Sequence, residues 1–141
     1  MDEKLTYYNL EELEKDEIVQ LIRRTLQRDE RITTAIIFGS FLARKRVRDV
    51  DVAIHANTNL KLDELLQLGL NLEGAVKIPV DISPLSEMLP CMKYKIITWG
   101  LKLIVKDARL LHEIQFAAFS ECQDIKTLMQ SLKKHQCHKS S

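Results

Sequence analysis

The sequence predicts an α/β fold, with a small mixed β-sheet, flanking helices and a long C-terminal helix. Three observations carry that expectation. Thr33-Thr34-Ala35-Ile36-Ile37-Phe38 is a β-branched run with the length and composition of a buried strand. Asp49-Val50-Asp51-Val52-Ala53-Ile54 alternates acidic and apolar residues as a second strand would. Around these runs, leucines and isoleucines recur at helical spacing.

Taken in order, Asn9 is placed to cap a first helix, with Glu12 three residues on and Leu10, Leu13, Ile18, Leu21 and Ile22 forming an apolar stripe to about Gln27. The Gly-Ser and Asp-x-Asp strands follow. Leu62, Leu65, Leu66 and Leu70 then mark a helix that carries the chain to a third strand, Val76-Lys77-Ile78-Pro79-Val80-Asp81-Ile82. Pro79 cannot donate a ladder hydrogen bond, so this strand is expected at an edge or a bulge. Ser83-Pro84 is expected to cap the next helix, with Pro90 breaking or restarting it and Gly100 ending it. Trp99 reads as a core anchor at that helix end. Leu101-Lys102-Leu103-Ile104-Val105 is a fourth strand, and Asp107 caps a last helix from Ala108 to about Lys134.

Composition fits one domain over residues 1–141, with a core from about 10 to 134 and a polar tail over 135–141. At 141 residues, 45% hydrophobic and net charge +1, the chain can bury one substantial core. Bulk charge gives it no reason to bind nucleic acid. No apolar stretch reaches membrane-spanning length, and Met1-Asp2-Glu3-Lys4 does not resemble a signal peptide, so a cytoplasmic location is expected. Cys91, Cys122 and Cys137 have no recognisable spacing and are expected as reduced thiols. His135, Cys137 and His138 have no complementary metal-ligating cluster and are read as part of the polar tail.

The chemistry lies in three places. A glycine leaving a strand lets a ligand approach the backbone closely, and Ser40 offers a hydroxyl and an amide. A short helix starting there would add free N–H groups for an anion. In an extended segment Asp49 and Asp51 project to one side, about 7 Å apart at Cα, within reach of a pair of Mg²⁺ ions about 4 Å apart. Asp81 stands opposite the apolar face of its strand and completes a set of three carboxylates. Separately, these fragments are weak signals, since Gly-Ser ends plain strands and Asp-x-Asp is a common solvated strand end. Together they point to nucleotidyl transfer.

These motifs, with Pro79-Val80-Asp81 and Ile96-Ile97-Thr98-Trp99-Gly100 ahead of a strand and a long helix, resemble those of the minimal nucleotidyltransferases (MNT proteins) of the DNA polymerase β superfamily. The resemblance covers about Thr33 to Lys134 and implies a polymerase β-like nucleotidyltransferase fold. It implies that Asp49 and Asp51 bind both metal ions, that Asp81 holds the catalytic one and accepts the attacking hydroxyl's proton, and that Gly39 and Ser40 hold the triphosphate. The cofactor would be Mg²⁺, two ions, and the donor a nucleoside triphosphate, ATP by the family's habit. Many MNT proteins resemble antitoxins that adenylylate an HEPN-type partner toxin on tyrosine, so an HEPN-type protein partner is implied here. The segment Phe41 to Arg48, between Ser40 and Asp49, is shorter than is usual in that family and lacks its glycine, carrying Arg44, Lys45, Arg46 and Arg48 instead. Those cations could meet phosphate, or form a solvated turn that eases repulsion among the aspartates.

The competing reading is a catalytically weak or inactive nucleotide-binding module that neutralises a partner protein by contact through the last helix. A third, ranked lowest, is modification of a small alcohol or an RNA end. At roughly 40 Å the last helix is longer than the domain needs, and the stripe Leu111, Ile114, Ala118, Cys122, Ile125, Met129 and Leu132 could pack along helix one or meet another protein; a homo-oligomer stays open as a separate partner reading. His55 reads as strand-end structure; Tyr7 and Tyr8 could be contact residues or loose surface.

Overall fold

The computed structural model describes the backbone of residues 7–139 and the side chains through residue 135. Its central sheet has four strands, β2 (Ile32–Phe38), β4 (Val50–Ala56), β5 (Val80–Pro84) and β6 (Leu101–Val105), in the order β5-β4-β2-β6. The antiparallel pairs are β2 with β4 and β2 with β6, while β4 and β5 run parallel. A two-stranded ribbon of β1 (Tyr8–Asn9) and β3 (Arg46–Val47) lies apart from the sheet.

Helices cover both faces. Ala35, Ile37, Val52 and Ile54 meet α1 (Glu12–Gln27) and α3 (Leu62–Val76) in the larger core cluster, which includes Ile22, Leu26 and Leu72. On the other face Ile36 and Ala53 meet α4 (Pro90–Trp99) and α5 (Ala108–Lys139) through Ile96, Ile97 and Leu111. Alternate residues of β2 and β4 thus supply opposite cores, as pleated strands require. This buries Ala35, Ile36 and Ile37 in succession.

Several boundaries differ from those read off the sequence. Glu11, not Asn9, caps α1, its backbone N–H donating to Glu14 Oε1 at 3.3 Å, because Asn9 is taken up by pairing with Arg46. The buried face of α1 is Ile18, Val19, Ile22 and Leu26, leaving Leu13 exposed. In α3 the buried residues are Leu65, Gly69, Leu72 and Val76, so Leu62, Leu66 and Leu70 face outward. Val76 ends that helix and Lys77 turns the chain at φ 64, so the third strand begins at Val80 rather than Val76. It is an edge strand, as Pro79 required, and the Pro79 carbonyl accepts the Val50 N–H at 2.9 Å. Ser83 and Pro84 remain in β5; Pro90 starts α4 instead of interrupting it, where its missing N–H costs nothing.

The last helix is capped as expected, with Asp107 Oδ1 accepting the Leu110 N–H at 3.0 Å. It runs on to Lys139, past the expected end near Lys134. Of the residues read as tail, Cys137 and His138 have side chains outside the described residues. Helix α5 packs on α4, not on α1: Tyr94 and Phe119 stack at 5.2 Å and Gln115 Nε2 donates to Thr98 Oγ1 at 3.1 Å. A disulfide joins Cys91 to Cys122 across the same helix pair, which corrects the expectation of reduced thiols. Past Cys122 the stripe is uncovered, with Ile125, Leu128, Met129 and Leu132 exposed. Trp99 is 79% exposed and is no core anchor, since α4 buries Ile96 and Ile97 instead. Among the described residues no helix is long and apolar enough to cross a membrane.

Candidate active site

The site forms where three chain segments end side by side. Strand β2 delivers Gly39 and Ser40, β4 begins just after Asp49, and β5 lies parallel to β4 in a register that pairs Asp51 with Asp81. Because β2 and β4 are antiparallel neighbours, Phe38 is the register partner of Asp51 and the glycine turn passes directly over that carboxylate.

Gly39 has φ 85 and ψ −158, a region essentially closed to other residues. A Cβ there would lie 2.6 Å from Asp51 Oδ2. The glycine is therefore required twice, by its own dihedrals and by the aspartate beneath it. Ser40 opens α2 (Ser40–Ala43), one turn whose backbone is held from behind by Lys15: its Nζ donates to the carbonyls of Phe41 and Arg44, both at 2.6 Å.

Ser40, Asp49, Asp51 and Asp81 line one cavity of about 380 Å³, together with Tyr7, Arg44, Arg46 and Arg48. The short loop thus turns three of its four cations toward the carboxylates. Arg48 Nε approaches Asp49 Oδ2 at 3.6 Å, and the Arg46 guanidinium sits over the Tyr7 ring at 4.4 Å. Lys45 turns away to pair with Glu11 at 2.9 Å. Asp51 is pushed up to about 6 by burial, then by the negative charges of Asp49 and Asp81, against the opposing pull of Arg48.

Gly39, Ser40, Asp49, Asp51 and Asp81 converge here. His55 does not: it lies at the far end of β4, where its carbonyl accepts the Thr33 hydroxyl at 3.0 Å, and it lines a separate cavity with Ala56 and Thr58. Two further residues contribute: Tyr7, which the sequence left open between contact residue and loose surface, and Lys15, which it did not single out. Tyr7 reaches the cavity because β1 pairs with the loop strand β3, and Lys15, half-buried one turn before Ile18 and Val19 on the inward side of α1, reaches the α2 carbonyls. Helical spacing ahead of Ile18, Val19 and Ile22 marks Lys15 as inward-facing, but no local segment shows what its amine meets.

A protein-family model described as polymerase beta, nucleotidyltransferase, matches residues 20–109, which include β2, β4 and β5 with all the candidate residues. The chain belongs to this family. No curated protein sequence gives a significant match. Among solved structures, a chain of the MntA–HepT toxin–antitoxin pair, in a variant with two aspartates two residues apart replaced by glutamate, superposes with a TM-score of 0.68 at 18% identity, covering 87% of this chain and 98% of that one. A toxin–antitoxin structure with AMP-PNP gives 0.67 at 19% identity, over 87% and 98% of the two chains. The tri-AMPylated Shewanella oneidensis HEPN toxin in complex with its MNT antitoxin gives 0.64 at 19% identity, over 91% and 99%. These likenesses establish that the nucleotidyltransferase fold is shared along nearly the whole chain.

The residues fit a hard divalent cation by their chemistry. Asp49, Asp51 and Asp81 are oxygen donors, and burial, followed by the charges of its two neighbours and only partly opposed by Arg48, holds Asp51 raised. Among the described residues no group of three or more His, Cys, Asp or Glu is gathered so as to hold a metal ion by itself. Mg²⁺ takes a few carboxylates and completes its shell with water and substrate phosphate.

Proposed function

We propose that this chain is a Mg²⁺-dependent nucleotidyltransferase that moves AMP from ATP to a hydroxyl on an HEPN-type partner protein, and so acts as an antitoxin. The observation that carries this reading is the parallel register that sets Asp51 beside Asp81 at a cavity rimmed by Ser40 and three arginines.

In this reading Asp49, Asp51 and Asp81 would hold the metal ions. The ions, when bound, offset the triphosphate's negative charge and that developing on the leaving oxygen. Gly39 lets the backbone approach the phosphates, and Ser40 supplies hydroxyl and amide donors. Arg44, Arg46 and Arg48 attract the β- and γ-phosphates. The acceptor hydroxyl oxygen bonds to the α-phosphorus, the bond from that phosphorus to the bridging oxygen breaks, and pyrophosphate departs. Asp81 takes the hydroxyl proton. Support from relatives is of the same kind: the pair with AMP-PNP, the AMPylated toxin, and a variant whose two altered aspartates are spaced as Asp49 and Asp51 are.

The test is incubation of the pure protein with α-labelled ATP, CTP, GTP and UTP plus Mg²⁺, with and without a co-purified partner. Label should pass to the partner from ATP alone. Undiminished transfer by a folded Asp49→Asn/Asp51→Asn variant would overturn the metal role. One observation favours a second reading, neutralisation by contact: the second half of α5 presents Ile125, Leu128, Met129 and Leu132 uncovered. An Asp81→Asn variant that still silences the partner in cells would select that alternative.

A further inference from the structure

The loop that carries the cavity's arginines begins as a single helical turn and is held from outside itself. Phe41 anchors α2 in the core at 2% exposure. Within the turn the Ser40 carbonyl accepts the Arg44 N–H at 2.9 Å, and Arg44 then leaves in an extended conformation, φ −124 and ψ 144. A helix that stops leaves its last carbonyls without partners of its own. Here the carbonyls of Phe41 and Arg44 are met from α1.

Lys15 meets both. It lies 26 and 29 residues away in sequence, its Nζ donates to each carbonyl at 2.6 Å, and the same atom stands 5.4 Å from the centre of the Phe41 ring. One amine thus ties the anchored part of the turn to the residue at which the chain departs. Lys15 is half-buried, and bonds from a charged donor are about twice as strong as neutral ones. The nearby tie from Lys45 to Glu11 joins side chains each 67% exposed, a setting in which ion pairs contribute little.

Fixing the Arg44 carbonyl fixes the direction in which the chain runs on into β3, and with it the places of Arg46 and Arg48 at the cavity. Three positive charges on a short loop repel one another, so a loose loop would spread them. Resting on the nucleotidyl-transfer reading, we infer that Lys15 is a positioning residue that gathers Arg44, Arg46 and Arg48 into a cradle for the β- and γ-phosphates without touching the phosphates itself. Lys15 is not among the described residues that line the cavity. Its amine is spent on backbone carbonyls, so it acts on a polyphosphate only through the arginines. Ordering them during folding removes that cost from the binding step.

The experiment is calorimetric titration of AMP-PNP, inorganic tripolyphosphate and AMP in Mg²⁺. It compares the parent, Lys15→Met, Arg44→Ala/Arg46→Ala and the triple variant, each checked by thermal melt. Lys15→Met keeps the apolar stem and should weaken AMP-PNP and tripolyphosphate about tenfold while AMP stays within about twofold. Once the two arginines are gone, the same change should cost less than about twofold, since residues that act through one another are not additive. Trypsin should cut between Arg44 and Arg48 about tenfold faster in Lys15→Met than in the parent. Lys15→Gln, too short to span both carbonyls, should behave alike and replaces Lys15→Met if that variant does not fold.

The inference is overturned if AMP-PNP affinity is unchanged, if AMP weakens as much as AMP-PNP, or if the Lys15 and arginine effects simply add. Lys15-dependent tripolyphosphate binding with no label transfer would reject the transfer reading alone. Transfer and AMP-PNP binding indifferent to Lys15 would reject the positioning role alone, and a parent that binds neither polyphosphate would reject both.

Discussion

Replacing Asp51 by asparagine should stabilise the metal-free protein while removing the proposed transfer activity. Burial and two neighbouring aspartates hold Asp51 near 6 against an ordinary 3.8. In full that difference would amount to ~3 kcal/mol of ionisation cost, which solvent screening of a half-exposed carboxylate cuts to about 1 kcal/mol. The sign follows from linkage. A carboxyl raised on folding binds more protons folded than unfolded between 3.8 and about 6, so its contribution to stability falls as pH rises through that window and stays low above it. Below the window Asp51 is neutral in both states and asparagine gains nothing by removing its charge. The assay is a thermal melt in chelator. At about pH 7.5 Asp51→Asn should melt about 3 °C higher than the parent, and the gap should close toward about pH 3.5. Added Mg²⁺ should raise the parent's melting temperature more than the variant's, because a ligand stabilises only the fold that binds it. Equal melting near neutral pH, or a gap that persists unchanged in acid, would refute the claim that unneutralised repulsion is stored at this carboxylate.

Three further outcomes follow from the packing. Gly39→Ala places a Cβ against Asp51 Oδ2 at φ 85, so urea titration should show a loss of about 1–3 kcal/mol, with Mg²⁺-dependent stabilisation reduced as well. Leu72→Ala, fully buried on α3, should cost about 2–5 kcal/mol, whereas Leu66→Ala on the exposed side of the same helix should stay within about 0.5 kcal/mol in the same titration. Reducing the Cys91–Cys122 bond, which closes a span of 31 residues, should lower unfolding stability by about 3–4 kcal/mol, read as a lower urea midpoint in dithiothreitol.

Much of the site was legible because its signals are local. A β-branched run ending in Gly39-Ser40 and an alternating strand carrying Asp51 are written within a few residues, and alternation alone separates the carboxylate side of β4 from Val50 and Val52. The helices were legible as helices for the same reason, but their buried faces were less so. In α3, leucines occupy more than one side, and only the sheet's position shows that Leu65 and Leu72 are core while Leu66 and Leu70 line a groove. Trp99 and Leu13 were misplaced likewise, since hydrophobic character records an affinity for burial and not the presence of something to be buried against.

By itself, then, the sequence determined the α/β class, the order of the main elements and the residue types of the proposed site, because dihedral preference and side-chain periodicity are properties of short segments. Only the tertiary structure decided that Asp81 stands beside Asp51, that α5 lies on α4 with Cys91 bonded to Cys122, and that Lys15 and Tyr7 reach the Ser40 loop. Each of these joins positions far apart in the chain. Such pairings are selected by the packing of the whole core, which no local segment encodes.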